Sequence, residues 1–321
     1  MININFCKHI LLVILLFLFF SGAYAQSRLD TTYIKTNKKT RLTLDLQVET
    51  ASNSDYKLKY DDQTYEKGKM TDFAKTKIRL GVPILRSKQF TFSANANYSF
   101  YHLNFNQKEV LKEDLGLNFN GEHHVWGFSP NATFHTKIFS KPIITNANIS
   151  FDFSEQGYER MKGIFAAVMQ VKQTKSTSIG VGIIGLVNTT SPLPFIPVFT
   201  YHHQFNPQWT IDLMLPQAYL RYSFREKKRL SVGMSVDNDY FFVRQQNPLL
   251  PEKCIYSRSR LTPEIIYEQP IAKHFYMTIR GGGNIFLSNR LHSKKNYKDY
   301  IEFSQPMNSF LNIGFSYNLS R

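Results

Sequence analysis

The chain has 321 residues, a formal net charge of +15 and many aromatic residues, with 27 Phe and 18 Tyr against 2 Trp. One of its two cysteines, Cys7, lies in an N-terminal leader, so the processed chain cannot form an internal disulfide. Beyond that leader no apolar run reaches about 18 residues, which excludes a bundle of membrane-spanning helices.

The first 25 residues have the order of a secretory signal peptide. Lys8 and His9 precede an apolar run of 11 residues, Ile10–Phe20, and the triplet Ala23-Tyr24-Ala25 supplies a small-x-small cleavage site. We expect cleavage after Ala25, since a spanning helix needs roughly 20 apolar residues. An uncleaved anchor is the alternative. Export argues against nucleic-acid binding as the reason for the positive charge.

Apolar and polar residues alternate with a period of two along most of the remaining chain. The alternation persists for 8 to 12 residues in several segments, whereas strands of a secreted β-sandwich usually run about 5–6 residues. A tilted barrel strand needs roughly 9–11 residues to cross a bilayer, so length favours a transmembrane barrel over a sandwich. The segments with this pattern are 42–49, 77–82, 90–101, 146–153, 218–225, 230–237, 274–281 and 311–319.

The connections between these segments fall into two sets. Outer-membrane barrels have short periplasmic turns and longer external loops, and the two sets separate onto opposite sides if the N-terminus is periplasmic. The short connections are 85–89, 140–142, 206–208, 226–228 and 270–273, and the long polar ones are Ala51–Asp72, Asn104–Glu122, Phe242–Ser257 and Asn289–Asn308.

These patterns predict an all-β chain that folds as a transmembrane antiparallel up-and-down β-barrel of about 14 strands, with 12 as the alternative. Three segments are expected: the signal peptide at 1–25, a periplasmic N-terminal stub at 26–37 and the barrel at 38–321. Residues 189–194 and 216–217 would then serve as short external turns.

The signal peptide, the rhythm of strands and turns and the final aromatic strand resemble Gram-negative outer-membrane β-barrel proteins. More narrowly, the stretch Pro194–Pro197, then Trp209 and Leu215-Pro216, is similar to an uncharacterised porin-like barrel family. The resemblance implies residence in the cell outer membrane and no established chemistry. One departure is the end of the chain, Leu319-Ser320-Arg321, where many such barrels end in Phe.

We therefore expect outer-membrane lipids and lipopolysaccharide, small solutes and, during biogenesis, the barrel-assembly machinery as partners.

Five basic residues fall on the polar register of their strands and are candidates for lining the lumen. Charged rings that line a pore tune its ion selectivity. The alternative is that they pair with the inward acids Asp45, Glu49, Asp152 and Asp237 and fill the lumen with salt bridges. The net charge could also reflect binding to acidic surface sugars or merely solvated loops. The candidates are Lys77, Arg79, Arg221, Arg225 and Arg280.

Three aromatic residues lie within two positions of a short turn and on the apolar face: Phe90, Trp209 and Phe275. Barrels place aromatic girdles at the membrane interfaces, so we expect these side chains at an interface. Ordinary core aromatics could also fall at these positions.

The sequence supplies no clear metal or catalytic motif. Adjacent strand residues point to opposite faces, so neither His123-His124 nor His202-His203 should chelate one ion, and Asp61-Asp62 and Asp237-x-Asp239 offer few of the oxygen ligands that calcium needs. No G-x-S-x-G occurs, and Cys254, in a predicted external loop, has no identifiable base. We expect no metal, no cofactor and no enzymatic activity.

The function that this reading favours is a passive pore for small solutes, with anions favoured if the basic residues line the lumen. A closed barrel with a structural or surface-interaction role is the alternative, and a membrane-embedded hydrolase is a third class.

Overall fold

The computed structural model describes residues 42–112, 117, 119–187, 194–214, 217–224, 227–245, 252–293 and 300–319. The predicted signal peptide, the N-terminal stub and Arg225 lie outside these residues, as do most of the two predicted turns at 189–194 and 216–217. Within the described ranges, no helix is both long and apolar enough to cross a membrane.

The described residues form sixteen β-strands, and each strand pairs antiparallel with its neighbours. They are β1 (Leu42–Ala51), β2 (Ser54–Tyr60), β3 (Gln63–Arg86), β4 (Phe90–Val110), β5 (Gly121–Ile138), β6 (Lys141–Ser154), β7 (Gly157–Gln173), β8 (Thr177–Val187), β9 (Phe195–Gln204), β10 (Trp209–Met214), β11 (Gln217–Ser223), β12 (Arg229–Arg244), β13 (Lys253–Ala272), β14 (Phe275–Ser293), β15 (Tyr300–Ser304) and β16 (Asn308–Leu319).

The sheet closes into a ring of fourteen barrel strands. We call each of them a stave, because two of the fourteen consist of two β-strand segments. Strand β1 pairs with β16 on one side, Leu42 opposite Leu319, and with β3 on the other, Thr43 opposite Gly81. Strands β1 and β2 are two segments of the first stave, since both pair with β3, and β15 and β16 are two segments of the last, since both pair with β14. The prediction of a fourteen-stranded antiparallel barrel is therefore confirmed.

The outer face of the ring carries a continuous band of exposed apolar side chains, here called the belt. On β1, Leu44, Leu46 and Val48 face out, while Asp45 and Gln47 face the lumen. An apolar exterior over a polar interior is the arrangement that a barrel in lipid requires. Other exposed members are Ile78, Leu80, Val82, Phe128, Phe165, Val181, Ile183, Phe199, Leu220, Val232, Ile313 and Phe315.

The four predicted long loops are too long, because most of the described residues in these segments are strand. Strand β2 and the first part of β3 occupy 51–72, and Asp61 and Asp62, both with positive φ (49° and 58°), form the two-residue turn between them. Strands β4, β12, β13, β14 and β15 likewise extend into the other three segments. We call these extensions of β2–β5 and β12–β15 beyond the belt the cap.

The cap alternates in the opposite sense from the belt. On β2, Asp55 and Lys57 are exposed on the outside, whereas Tyr56 and Leu58 are buried inside. Water, not lipid, is the solvent that this pattern matches. The polar outer face made these segments resemble loops in sequence, although their period of two is that of strands.

The interior of the cap is a packed apolar core between the two walls of the barrel. The ring of His123 on β5 stacks on Phe241 of β12 with 4.2 Å between centroids, and Tyr101 of β4 lies 5.4 Å from the same ring. The strands β1–β5 and β12–β16 form eight staves, which we call the eight-strand side of the barrel. The interior of this side is therefore filled at the cap end. The core consists of Tyr56, Leu58, Met70, Phe73, Tyr101, Leu103, Phe105, Phe119, Val125, Tyr240, Phe241, Phe242, Val243, Cys254, Ile255, Tyr256, Leu291, Ile301 and Phe303.

The remaining six strands, β6–β11, form a lower wall that we call the six-strand side. Strands β10 and β11 have 6 and 7 residues, against 24 in β3. The inward face of β7–β9 carries a second, smaller buried apolar cluster, made of Ala166, Ile184, Leu186, Ile196 and Val198.

Candidate functional site

The most highly charged part of the interior lies on the eight-strand side, between the cap core and the polar lower lumen. Asp239 on β12 is its centre and accepts hydrogen bonds from Lys75 Nζ at 3.1 Å, Arg258 Nη2 at 3.1 Å and Arg260 Nη2 at 2.8 Å. The two guanidinium groups are almost completely buried, with side chains 1% and 0% exposed. We call the set Glu49, Lys75, Lys77, Asp237, Asp239, Arg258, Arg260, Glu264 and Arg280 the ionic cluster.

Glu49 ties three strands of the wall together within this cluster. Its Oε1 accepts a hydrogen bond from Arg260 Nη1 at 2.9 Å, and its Oε2 lies 3.1 Å from Lys75 Nζ. Asn312 of β16 donates to Oε2 at 3.3 Å. Buried charges are tolerated only when they are paired and hydrogen-bonded, and Glu49 meets that condition.

Arg280 joins two further carboxylates to the cluster, and Arg258 connects the cluster to the cap core. Arg280 Nε donates to Glu264 Oε2 at 2.7 Å and its Nη2 to Asp237 Oδ2 at 3.2 Å. The guanidinium of Arg258 lies 4.0 Å from the ring centroid of Phe73, a cation–π contact with the cap core. The charged layer and the apolar core are thus one packed unit.

The structure places the sequence-predicted basic residues mostly against acids. Lys77 Nζ lies 3.3 Å from Asp239, with its side chain 17% exposed, and Arg280 is paired as above. Arg221 Nη1 lies 3.1 Å from Asp212 Oδ2, with its side chain 18% exposed. Arg79 is opposite Asp45 in the β1–β3 pairing.

Sequence reasoning missed Lys75, Arg258 and Arg260. A usable signal existed, since Asp237-x-Asp239 and Arg258-x-Arg260 have the same spacing and lie directly opposite each other on β12 and β13. Opposite charges at directly opposed strand positions interact favourably. Arg258 was missed because 242–257 was interpreted as a loop, so the strand that carries it was not recognised.

Smaller polar groups lie on the six-strand side. His202 Nδ1 is 2.5 Å from Asp212, the same carboxylate that pairs with Arg221. Asp152 lies 3.0 Å from Arg160 Nε and 3.1 Å from Lys162 Nζ. Lys162 Nζ also donates to the hydroxyl of Tyr240 at 2.5 Å, which links β7 to β12 across the interior.

The lumen below the ionic cluster is lined mainly by amides and hydroxyls. Asn146 Nδ2 donates to Asn131 Oδ1 and to Thr133 Oγ1, each at 2.9 Å. These side chains, like Asn97 and Asn148 on neighbouring strands, are half-buried. The inner face around these amides is polar and half-buried.

The three predicted interface aromatics each begin a strand at the end of the barrel where the described chain starts and stops. Phe90 begins β4, Trp209 begins β10 and Phe275 begins β14, and all three are exposed on the outer face. The position agrees with an interface, and the girdle role itself stays a prediction.

The histidine pairs split between the two faces, as expected. His123 stacks on Phe241 inside the cap, whereas His124 lies outside and forms a hydrogen bond with the hydroxyl of Tyr98. In the part of the chain that the structure describes, no group of three or more His, Cys, Asp or Glu is arranged to hold a metal ion.

The prediction that Cys254 lies in an external loop is wrong. It lies on β13 inside the cap core, where it is 0% exposed. Burial raises the pKa of its thiol to about 11. The thiolate is the reactive form of cysteine, so we expect this residue to be unreactive in the folded protein.

Comparison with known proteins identifies a family and several proteins of similar fold. No curated protein matches the sequence. Similar solved structures include the COG4313 outer membrane channel from Pseudomonas putida F1 (8% identity, 88% of this chain and 96% of that chain covered, TM-score 0.44). Others are a Pseudomonas aeruginosa FadL homologue (8%, 87% and 90%, 0.40) and outer membrane phospholipase A from Escherichia coli (10%, 84% and 96%, 0.33). At these identities the likeness concerns the fold alone.

The family model of a domain of unknown function, DUF6268, matches residues 143–318, from β6 to the last strand. Because that match covers more than half of the sequence, this chain belongs to the DUF6268 family.

Proposed function

We propose that this protein is an outer-membrane channel that lets small solutes diffuse through a polar lumen, without covalent chemistry. The observation that supports the proposal is the half-buried, amide-rich inner face below the ionic cluster, around Asn131, Asn146 and Asn148. The cap core and the ionic cluster fill the eight-strand side. The conducting path that we propose therefore follows the six-strand side.

The ion pairs argue for weak selectivity in such a channel. Lys77, Arg221 and Arg280 each contact a carboxylate, so their charges are largely compensated within the lumen. Fixed charge along a pore determines which ions it favours. We propose that small anions are admitted with only a slight preference over cations.

Conductance of the purified protein in planar bilayers tests the proposal. We expect small stepwise currents with a reversal potential slightly on the anion side. In Arg221→Gln, the Asp212 carboxylate loses its arginine partner, so the reversal potential should move toward cations. Lys57→Gln, on the exposed outer face of β2, is the control and should leave it unchanged. An unaltered reversal potential in Arg221→Gln would contradict a path past Asp212.

A closed barrel with a structural or surface role is the second candidate, and the filled cap favours it. The cap presents charged strands such as β2 outside the belt and has a core of its own. Absence of current from a preparation that keeps the heat-modifiable gel mobility of a folded barrel would favour this candidate over the channel.

A further inference from the structure

The turns at one end of the barrel carry a marked excess of basic side chains. This end, where β1 begins and β16 stops, has six turns, and we call its strand ends and turns the rim. Arg86 and Lys88 lie at the β3–β4 turn, and Lys137 and Lys141 flank the β5–β6 turn. All four are exposed.

The pattern continues around the circumference. Lys172 and Lys175 lie at the β7–β8 turn, Lys227 and Lys228 precede β12, and Lys273 lies at the β13–β14 turn. Only the β9–β10 turn lacks a basic residue among the described rim residues. The sequences of the six turns contain one acidic residue, Glu226, which lies outside the described residues.

The rim accounts for the whole positive excess of the described chain. Away from these nine residues, the described ranges hold equal numbers of basic and acidic side chains, nineteen of each. The cap illustrates that balance, since Lys67 pairs with Glu109 and Lys108 with Asp55. A merely solvated surface would be expected to mix both signs in the same way.

Two of the rim lysines lie close in sequence to exposed aromatic side chains on the outer face. Lys88 is two positions from Phe90, Lys273 is two positions from Phe275, and both aromatic rings are exposed on the outer face. A long basic side chain next to an exposed aromatic ring is the arrangement found at a membrane interface, where the stem stays in apolar surroundings and the ammonium reaches the headgroups.

We infer that the rim binds the headgroups of anionic phospholipids in the membrane leaflet that it faces. A ring of positive charge at headgroup depth is complementary to phosphate groups that carry a net negative charge. Each lysine held near such a surface strengthens binding about fivefold. The inference rests on the position of the barrel in a membrane and not on conduction.

Tryptophan fluorescence provides a local test, because Trp209 lies in the rim between the Lys175 and Lys227 turns. Trp126, on the outer face of β5 near the cap, is changed to Phe to leave one reporter. The Trp126→Phe protein is reconstituted in mixed vesicles of phosphatidylcholine and phosphatidylglycerol, with the bromine on one lipid or on the other. Comparing the quenching in the two preparations gives the relative binding constant of the two lipids at the rim. We expect phosphatidylglycerol to be favoured several-fold at 0.1 M salt and much less at 1 M salt, because salt screens exposed charges.

Two variants in the same background separate the rim from total charge. The triple change Lys172→Gln, Lys175→Gln and Lys227→Asn should bring the relative binding constant close to one; Asn is used at position 227 because its φ is positive, at 65°. The matched control Lys57→Gln, Lys59→Gln and Lys69→Gln removes three charges from the cap and should change nothing.

Equal quenching by brominated phosphatidylglycerol and brominated phosphatidylcholine in the Trp126→Phe protein would overturn the inference, even before any rim variant is made. An equal loss in the rim and cap variants would also overturn it, since total charge would then explain the preference. A silent planar bilayer leaves these readouts intact, so failure of the channel proposal is distinguishable from failure of this one.

Discussion

The belt and the cap are built from the same strands but have opposite polarity. On the first stave, Leu44 and Leu46 face outward in the belt, and beyond the break at Ser52-Asn53 the outward residues are Asp55 and Lys57. The inward residues change from polar to apolar over the same distance. The polarity of the outward residues therefore matches the solvent outside each segment of a strand, which is lipid for the belt and water for the cap.

The ionic cluster lies where the interior changes character. Below it are the half-buried amides of the lumen, and above it is the apolar core of the cap, with Arg258 in contact with Phe73. Charged residues that face inward therefore do not by themselves make a charged pore. Within the eight-strand side they join two walls.

The largest effect should come from removing one charged partner from the ionic cluster. Arg260→Met leaves Glu49 and Asp239 without their shared guanidinium, and breaking a buried ion pair costs about 3–5 kcal/mol. Urea unfolding followed by heat-modifiable gel mobility should show the loss. The exposed Arg244→Met is the control, with little expected change; equal stability of the two variants would show that the cluster contributes little to joining the walls.

The next effect compares the cap core with the belt, using one side-chain truncation in each region. Leu103→Ala removes a buried side chain of the cap and should cost about 2–5 kcal/mol, because a cavity remains. Leu46→Ala should cost much less, since acyl chains fill the space that it leaves. Similar unfolding free energies for the two variants in lipid vesicles would contradict the assignment of lipid and core.

A similar or slightly smaller effect tests the polarity of the outer face directly. Leu44→Arg places a charge in the belt and should cost about 2–4 kcal/mol if the position is near the midplane. Lys57→Arg, on the outer face of the cap, is the control and should fold normally. An unchanged gel shift for Leu44→Arg would count against the membrane-facing assignment.

The smallest effect concerns reactivity rather than stability. At pH 8 Cys254 should resist a water-soluble maleimide, because it is buried in the cap core and its thiol pKa is raised to about 11. After unfolding in denaturant, where its pKa returns to the ordinary range, it should react rapidly. Fast labelling of the folded protein, read by mass spectrometry, would show that the cap core opens in solution.

Sequence reasoning recovered the barrel because period-two alternation is local and survives without knowledge of any partner. It recovered the positions of most rim turns for the same reason, since short polar breaks interrupt the alternation at 87–89, 205–208 and 273–274. It failed in the cap, where an outer face rich in Lys and Asp on β2 and β3 has the composition of a loop. Only its periodicity, with apolar residues such as Tyr56 and Leu58 two positions apart, distinguished it.

The candidate site was less accessible to sequence reasoning because its partners are remote. Lys77 and Arg280 were identified as inward from their own strands, but Asp239, which contacts Lys77, is 162 positions away in the chain. Alternation predicts which side a residue faces and contains no information about what lies across the lumen. The choice between a ring of free bases and a network of ion pairs therefore stayed open.

The amino-acid sequence by itself determined that this chain forms long two-faced strands, because each residue's side follows from its position in the local pattern. The tertiary structure decided which charged side chains meet across the barrel. Arg260 meets Glu49 from 211 positions away, so the interior of the eight-strand side is compensated by contacts that exist only after the ring closes. The rim turns lie at the end of the barrel where the described chain begins and ends, and nine basic residues of the described chain lie at these turns.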